Sequence, residues 1–451
     1  MSDGREYLEA KAQEDDIEFF FAMFVDMHGK PCAKLVPSSA MDVLMDGAGF
    51  AGFAAGPMWQ TPADPDMIAV PDASSYTKVP WRDGLAVVMC DIAVDGTPWP
   101  YTPRLILRRQ LAKMADQGLS FKAGVEAEYF LVRRKEGGGI EVADPLDTAD
   151  FPCYDAKGLT RMYDHLATVS RYMNQLGYTN YANDHEDANG QFEQNFVFDD
   201  ALVTADRLIF FRYMVHMLAH DAGMAATFMP KPFAHLTGNG LHCNISVWEG
   251  DKPLFEAGAS PDPRGLGLSP FGYNFIGGLK EHATSFAAVT CPTVNSYKRI
   301  GVAPPNSGAT WAPAYVAYGG NNRSQMFRVS EGNRAECRVV DGSANPYLAF
   351  AVLAASGMDG VARKLDPGEP NTENLFALDP AAVAAMGITA MPSTLHEAVG
   401  KLRTDAVLRD VLGTGPNGDY VDYYCDVKAE EFRAWHSVVS DWEVERYLTL
   451  M

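Results

Sequence analysis

The stretch Phe121-Lys122-Ala123-Gly124-Val125-Glu126-Ala127-Glu128-Tyr129-Phe130-Leu131-Val132-Arg133 alternates with the two-residue period of an extended chain. It predicts a strand on which Glu126 and Glu128 leave one face while Val125, Ala127 and Tyr129 leave the other. Two carboxylates on one face of an otherwise apolar strand repel each other unless a cation sits between them.

Outward from this strand, helical spacing precedes it over residues 104–117, with Gly118 at the expected stop. Helices are predicted again over 160–176, 204–221, 275–289 and 346–364. Short strands lie between them at 191–198, 224–228, 241–248, 325–329 and 334–340. Without regular βαβ alternation, these elements predict an α+β fold whose larger part holds a mostly antiparallel sheet flanked by helices. Nearer the N-terminus, residues 17–36 read as a hairpin turning at His28-Gly29-Lys30, and 85–93 as a strand. Residues 47–57 read as a Gly/Ala-rich loop. Pro98, Pro100 and Pro103 mark a boundary between a small strand-rich domain, 1–103, and a second domain, 104–451.

The 451 residues are 47% apolar and 21% charged, which excludes disorder, collagen and coiled coil. Lys and Arg number 37 against 58 Asp and Glu, so the net charge is 37 − 58 = −21. A chain that acidic repels phosphate backbones and anionic lipids, and no nucleic-acid or membrane partner is expected. Residues 1–16 are too charged for a secretory signal, and no apolar run of spanning length occurs. The seven cysteines are scattered without a C-x-x-C pair. They read as reduced thiols of a cytoplasmic protein.

More carboxylates repeat the pattern of Glu126 and Glu128. Glu186 and Glu193 flank Gly190-Gln191, His242 enters a strand after Gly238-Asn239-Gly240, and Glu336 alternates with Arg334 and Arg338. A Glu-dominated oxygen set with one imidazole suits Mg²⁺ or Mn²⁺ better than zinc. Arg299, Arg323, Arg328, Arg334 and Arg338 fall within 40 residues, and guanidinium forks match carboxylates and phosphates bidentately. Metal-binding carboxylates beside clustered arginines are what phosphoryl transfer from ATP to a carboxylate needs. No G-x-x-x-x-G-K-[ST], kinase set or G-x-S-x-G elbow is present.

These motifs, with Asn295-Ser296-Tyr297-Lys298-Arg299, Asn322-Arg323-Ser324 and the run from Asp341-Gly342 to Ala349, resemble the glutamine synthetase superfamily in identity and order. The resemblance runs from the N-terminal hairpin to Trp442. It implies a β-grasp-like N-terminal domain and a catalytic domain, assembled as stacked rings, a dodecamer, with active sites between neighbouring subunits. Carried over, Glu128, Glu186 and Glu193 would hold one divalent ion and Glu126, His242 and Glu336 another, with two or three Mg²⁺ or Mn²⁺ per site. Arg299, Arg338 and Glu186 would be catalytic, and Glu128, Gly238 and His242 would join both arginines around glutamate. Phe198, Ser246, Arg323, Arg328 and Arg334 would contact ATP as co-substrate. The implied reaction forms γ-glutamyl phosphate, which an amine converts to the γ-amide.

Departures from the family pattern bear on the amine. Where ammonia-using members carry an ammonium-binding carboxylate and a serine in their N-terminal loop, this chain has Ala51 and Ala54. Pro305 stands where the family usually offers a glutamate, Thr237 replaces an asparagine and Asn244 a second histidine. Phe376 occupies the position of the tyrosine adenylylated in many bacterial members, so that switch is expected to be absent. Small apolar side chains remove the charge attraction for ammonium and open a methyl-sized volume, with Phe53 and Trp59 close enough in sequence to wall it. The expected amine is methylamine; ammonia, or a polyamine such as putrescine, is the alternative. A catalytically dead structural protein is disfavoured because the whole ligand and arginine set is intact.

Overall fold

The structure, a computed structural model, describes residues 2–259, 261–300 and 312–450. After the helix Ser2–Glu14, the expected hairpin forms from Phe19–Val25 and Pro31–Pro37, with Phe19 opposite Pro37 and Val25 opposite Pro31. Asp26 makes the turn: its carboxylate accepts from the backbone N–H of His28 and Lys30 at 2.9 and 3.0 Å. Gly29 there takes φ 83°, where any Cβ is strained.

Leu85–Val94 lies parallel to Phe19–Val25, and Met67–Pro71 and Ala48–Phe50 continue antiparallel beyond it. Residues 47–57, read as a loop from composition, therefore supply the strand Ala48–Phe50 and the one-turn helix Gly52–Ala55. Main-chain pairing to Met67–Pro71 holds the strand, and Phe50 packs edge-on against Phe24 at 4.9 Å. Both forces are tertiary and leave no mark in a Gly/Ala-rich run.

Pro103–Ala115 follows, with Pro103 in the first turn, where its missing N–H is no loss. Its next residue, Arg104, is buried and donates to Asp72, Asp91 and Asp206 at 2.9, 3.0 and 2.8 Å. Asp72 and Asp91 belong to the first sheet region and Asp206 to the helix Ala201–Asp221, so one guanidinium ties the N-terminal sheet to the rest.

The second sheet is centred on Leu119–Arg134. It runs Asn180–His185, Gln191–Phe196, Leu119–Arg134, Leu241–Glu249, Ala335–Cys337, Phe327–Arg328, Tyr318–Gly319. The last two strands pair parallel, so this sheet, like the first, is mixed rather than uniformly antiparallel. Strands expected over 325–329 and 334–340 shorten to Phe327–Arg328 and Ala335–Cys337. Beyond Cys337 the backbone still pairs, but irregularly, with Arg338 N–H on Met326 O and Leu241 N–H on Val340 O.

Ala201–Asp221 packs on the central strand, and Pro270–Thr290 packs along Pro346–Arg363. The last two approach backbone to backbone: a Cβ on Gly278 would lie 2.1 Å from Ser356 O. The helix expected over 160–176 is two, Ala156–Arg161 and Tyr163–Gln175, broken at Met162. The chain is thus α+β with mixed sheets. Among the described residues, no helix is long and apolar enough to cross a membrane, and all seven cysteines are free.

Candidate active site

Pairing across the second sheet sets the site. Glu193 lies opposite Glu128, Glu126 opposite His242, and Asn244 opposite Glu336, which faces Arg328 on its other side. The strand period puts these side chains on one face, so acids remote in sequence become neighbours. Potential ligand atoms of Glu126, His242 and Glu336 lie within 4.8 Å of one another, and so do those of Glu128, Glu193 and His242. The imidazole serves both groups. Its Nδ1 faces Glu126 at 3.1 Å and Glu336 at 3.7 Å, and its Nε2 faces Glu128 at 3.8 Å. Glu186, expected beside Glu128 and Glu193, falls outside that tight group but lines the same small cavity as Glu128 and His242.

Amide N–H groups fix one oxygen each of Glu128, Glu193 and Glu126. Glu128 accepts from Gln191 Nε2 at 3.0 Å and Gly240 N at 2.7 Å. Glu193 accepts from Asn195 Nδ2 at 2.8 Å, and Glu126 from Asn244 Nδ2 at 2.9 Å. Glu336 is held between Arg328 and Arg338. Gly240 leaves room for this convergence: a Cβ there would meet Arg299 Nη2 and His242 Nε2 at 2.9 Å and Glu128 Oε1 at 3.0 Å.

The electrostatics are unbalanced. Burial, then the charge of Glu128, pushes the Glu186 carboxyl well above its ordinary range. Burial, then Glu186, Glu126 and Glu128, does the same to Glu193. Burial also works against Glu126, but the hydrogen bond and charge of His242, with Asn244, outweigh it and bring that carboxyl down to about 2. A cluster in which burial and like charge oppose the ionised form of two acids is one a dication would stabilise. Oxygen donors with one imidazole, three of the carboxylates pre-oriented by amides, fit Mg²⁺ or Mn²⁺.

Next to this cluster, a cavity of about 320 Å³ is lined by Gly124, Phe198, Asn244, Ser246, Trp248 and Arg334. Phe198 and Trp248 lie with ring centroids 6.3 Å apart and 27° between planes. Trp248 Nε1 donates to Ser246 Oγ at 2.9 Å, and Lys122 Nζ sits 4.8 Å from the Trp248 ring. Two aromatic faces, a hydroxyl and an arginine can take up a heteroaromatic base and an anionic tail. Of the arginines expected on a nucleotide, Arg334 lines this cavity, while Arg328 is engaged by Glu336 and Asn321. Arg323 is exposed on the preceding loop and lines neither cavity. Asn244 joins the two regions, donating to Glu126 and accepting from Arg334 Nε at 3.0 Å.

On the other side, buried Arg299 donates to the carbonyls of Val339 and Arg338 at 3.0 and 3.3 Å. Arg338 has an Nε without a partner among the described residues. Gly238 is pressed between Pro230 and Arg299, where a Cβ would lie 2.3 Å from Pro230 O. Thr237 donates to Asp187 at 2.8 Å. Sequence reasoning missed Lys231, Trp248 and the amide Asn195; of these only Asn195 carried a signal, by alternating with Glu193.

The amine loop stands apart. Ala51 and Ala54 are exposed and line neither cavity. Trp59, expected as a wall, stacks on Tyr423 at 4.5 Å and 4° and tilts against Tyr101, so its faces are already covered. Phe53 is exposed, and Pro305 lies outside the described residues. A larger cleft, about 660 Å³, is elsewhere, between the first hairpin turn and the helix Tyr420–His436. Its volume does not make it the reaction site, since none of the clustered acids lines it.

A family model described as "Glutamine synthetase, catalytic domain" matches residues 100–447. The chain is 45% identical over 438 residues to the glutamate–methylamine ligase of Methyloversatilis universalis, covering 97% of both chains. It is 43% identical over 436 residues to a glutamine synthetase of Rhizobium meliloti, covering 96% of this chain and 97% of that one. Among solved structures, a GmaS/ADP complex superposes with a TM-score of 0.91 at 42% identity, covering 98% of this chain and 99% of that one. An apo GmaS without ligand gives 0.88 at 41%, with the same coverage.

Proposed function

Because the chain belongs to the glutamine synthetase family, we propose that it is an ATP-dependent ligase joining L-glutamate to methylamine, with γ-glutamylmethylamide, ADP and phosphate as products. The γ-carboxylate attacks the terminal phosphoryl group of ATP and releases ADP. Methylamine then attacks the acyl phosphate, loses a proton and expels phosphate. The observation that carries the ligase reading is the row Glu193, Glu128, Glu126, His242 and Glu336, adjoined by an aromatic cavity on one side and Arg299 on the other.

Family enzymes use ATP and divalent metal; here Glu126, His242 and Glu336 would hold one ion and Glu128, Glu193 and Glu186 the other. Bound there, divalent cations neutralise the triphosphate and the transferring phosphoryl group. The protein's own groups do the rest. Phe198 and Trp248 take the base, with Ser246 at its edge and Arg334 toward the phosphates. Asn244 fixes Glu126 relative to Arg334. Arg299 and Arg338 orient the acid substrate, which effectively raises the local concentration of attacking oxygen.

Sequence identity alone separates methylamine from ammonia poorly, since a methylamine ligase and a glutamine synthetase are similarly alike to this chain. The selective feature is the loop, where Ala51 and Ala54 replace groups that would hold ammonium. Its exposure supports a ring assembly, a dodecamer, in which it reaches the site of a neighbouring subunit. Residues 1–103 form the β-grasp-like domain and 104–451 the catalytic domain, a division supported by the family match beginning at residue 100. The cytoplasm, which supplies ATP, glutamate and reduced thiols, is its location. Phosphate release with ATP, glutamate and a panel of ammonia, methylamine, ethylamine and putrescine tests the reading. Methylamine should give the highest kcat/KM; a higher value for ammonia would return the chain to plain glutamine synthetase.

A further inference from the structure

The cleft of about 660 Å³ beside the first hairpin turn carries a charge opposite in sign to that of the chain. Three cations, Lys30, Arg212 and Lys428, and two imidazoles, His28 and His216, line it against one carboxylate, Glu431. That carboxylate is already used: Lys428 Nζ donates to its Oε2 at 3.1 Å and Val294 N–H to its Oε1 at 3.1 Å. Two of the cations are set into the wall and incompletely paired. Arg212, on the helix Ala201–Asp221, donates from Nη1 to Ala344 O at 2.9 Å, but its Nε and Nη2 have no partner among the described residues. Burial pulls this guanidinium down to about 10, and the charge of Asp341 does not make up the loss. Lys428, on the helix Tyr420–His436, reaches Glu431 and, at 3.2 Å, His28 Nδ1, which leaves one of three ammonium donors over. Burial pulls it below its usual range as well.

The walls between these charges are apolar. Met27, Phe228, Met229 and Tyr424 face the cleft, and the Phe228 ring centroid lies 5.7 Å from the Arg212 guanidinium. Positive charge set among apolar walls focuses its field into the cleft, and an anion placed there offsets part of the cost of burying Arg212. A strongly hydrated phosphate would lose its water to these apolar faces, so a carboxylate on an apolar body fits better. We infer that this cleft is a binding site for an organic carboxylate with an aromatic or branched apolar body, separate from the acid cluster. None of the residues assigned to glutamate, ATP or metal lines it, so the inference goes beyond the ligase reading and stands without it. Its occupant touches the N-terminal hairpin turn on one side and the helices Ala201–Asp221 and Tyr420–His436 on the other.

3-Phenylpropionate is a suitable probe, with 3-phenylpropanol as its uncharged counterpart and propionate as the charge without the body. By calorimetry on the full chain, 3-phenylpropionate should bind with a Kd of about 1 mM or tighter. The alcohol, propionate and inorganic phosphate should each bind at least about tenfold more weakly. Saturating glutamate with Mg²⁺ and ADP should not displace it. Arg212→Met should weaken its binding about tenfold while leaving the melting temperature level or raised, since it replaces a charge that burial disfavours. If that variant does not fold, Lys30→Gln at the exposed rim should still weaken binding about two- to threefold. No binding, equal binding of the alcohol, tighter binding of phosphate, or unchanged affinity in both variants would overturn the inference. Displacement by glutamate with Mg²⁺ and ADP would overturn it too, by returning the ligand to the acid cluster.

Discussion

The charge clusters around Arg104 and on the second sheet are both buried, and they are built on opposite plans. Around Arg104, one guanidinium meets Asp72, Asp91 and Asp206, and Tyr347 adds its hydroxyl to Asp206 at 2.6 Å. Burial opposes the ionised form of Asp72, but Ser74 and Arg104 hold its carboxyl below the ordinary range. In the sheet cluster, Glu186 and Glu193 are pushed the other way. The first cluster is satisfied by what the chain supplies and welds two parts of the fold. The second is left short of positive charge and is satisfied only by something that binds. Buried charge by itself says little about role; its balance does.

The comparison breaks most sharply at Arg104. Arg104→Met should destabilise the fold by about 3–5 kcal/mol, because it strands buried carboxylates. Chemical denaturation would show it, and wild-type stability in that variant would remove the contrast. Glu128→Gln should do the reverse, lowering kcat/KM by roughly 10²- to 10³-fold through a lost anionic ligand while leaving the melting temperature level or raised. Activity near wild type at saturating Mg²⁺ would show that Glu128 is not a ligand.

A smaller effect sharpens the loop reading. Ala51→Asp should shift kcat/KM toward ammonia relative to methylamine by about 1–3 kcal/mol of discrimination, the worth of one methyl group. An unchanged ratio would mean the loop does not approach the amine. The smallest effect concerns a third, balanced cluster, where buried His282 lies between Asp405 at 2.7 Å and Asp359 at 3.0 Å. Burial lowers its pKa, but the hydrogen bonds to both acids win and leave it raised. The stability it contributes is then complete below the unfolded histidine value near ~6.5 and is lost as pH rises through the higher folded value. Melting temperature should therefore decline gently above neutrality in wild type and more weakly in His282→Gln.

Much of the site could be read from the chain because a strand's period assigns faces. Glu126 with Glu128, and Glu336 with Arg338, declare their common side by spacing alone. Glu186 was harder, since it follows the strand Asn180–His185 in a turn, where no period says which way a side chain points. Lys231 had no local signal at all; its place comes from Asn295, which is 64 residues away. The Arg104 clamp was equally invisible, joining residues 13, 32 and 102 positions distant. Helix ends erred by a few residues where caps decide them, as at Asp155, whose carboxylate accepts from the N–H groups of Lys157 and Gly158. The strand Ala48–Phe50 shows the limit from the other side, for small residues at a sheet edge are defined by the neighbour they pair with.

The parallel pairing of Phe19–Val25 with Leu85–Val94 has a consequence in time. The hairpin Phe19–Pro37 is local and closes within microseconds once it is free, but its other edge stays open until residue 94 has been made. At roughly 5–20 residues per second, the aromatic strand waits several seconds on the ribosome with its partner unwritten. Arg104 comes next in the chain, followed only much later by Asp206. The N-terminal sheet is thus assembled early but anchored late, and the interval between those events is when a nascent chain has most need of a holding chaperone.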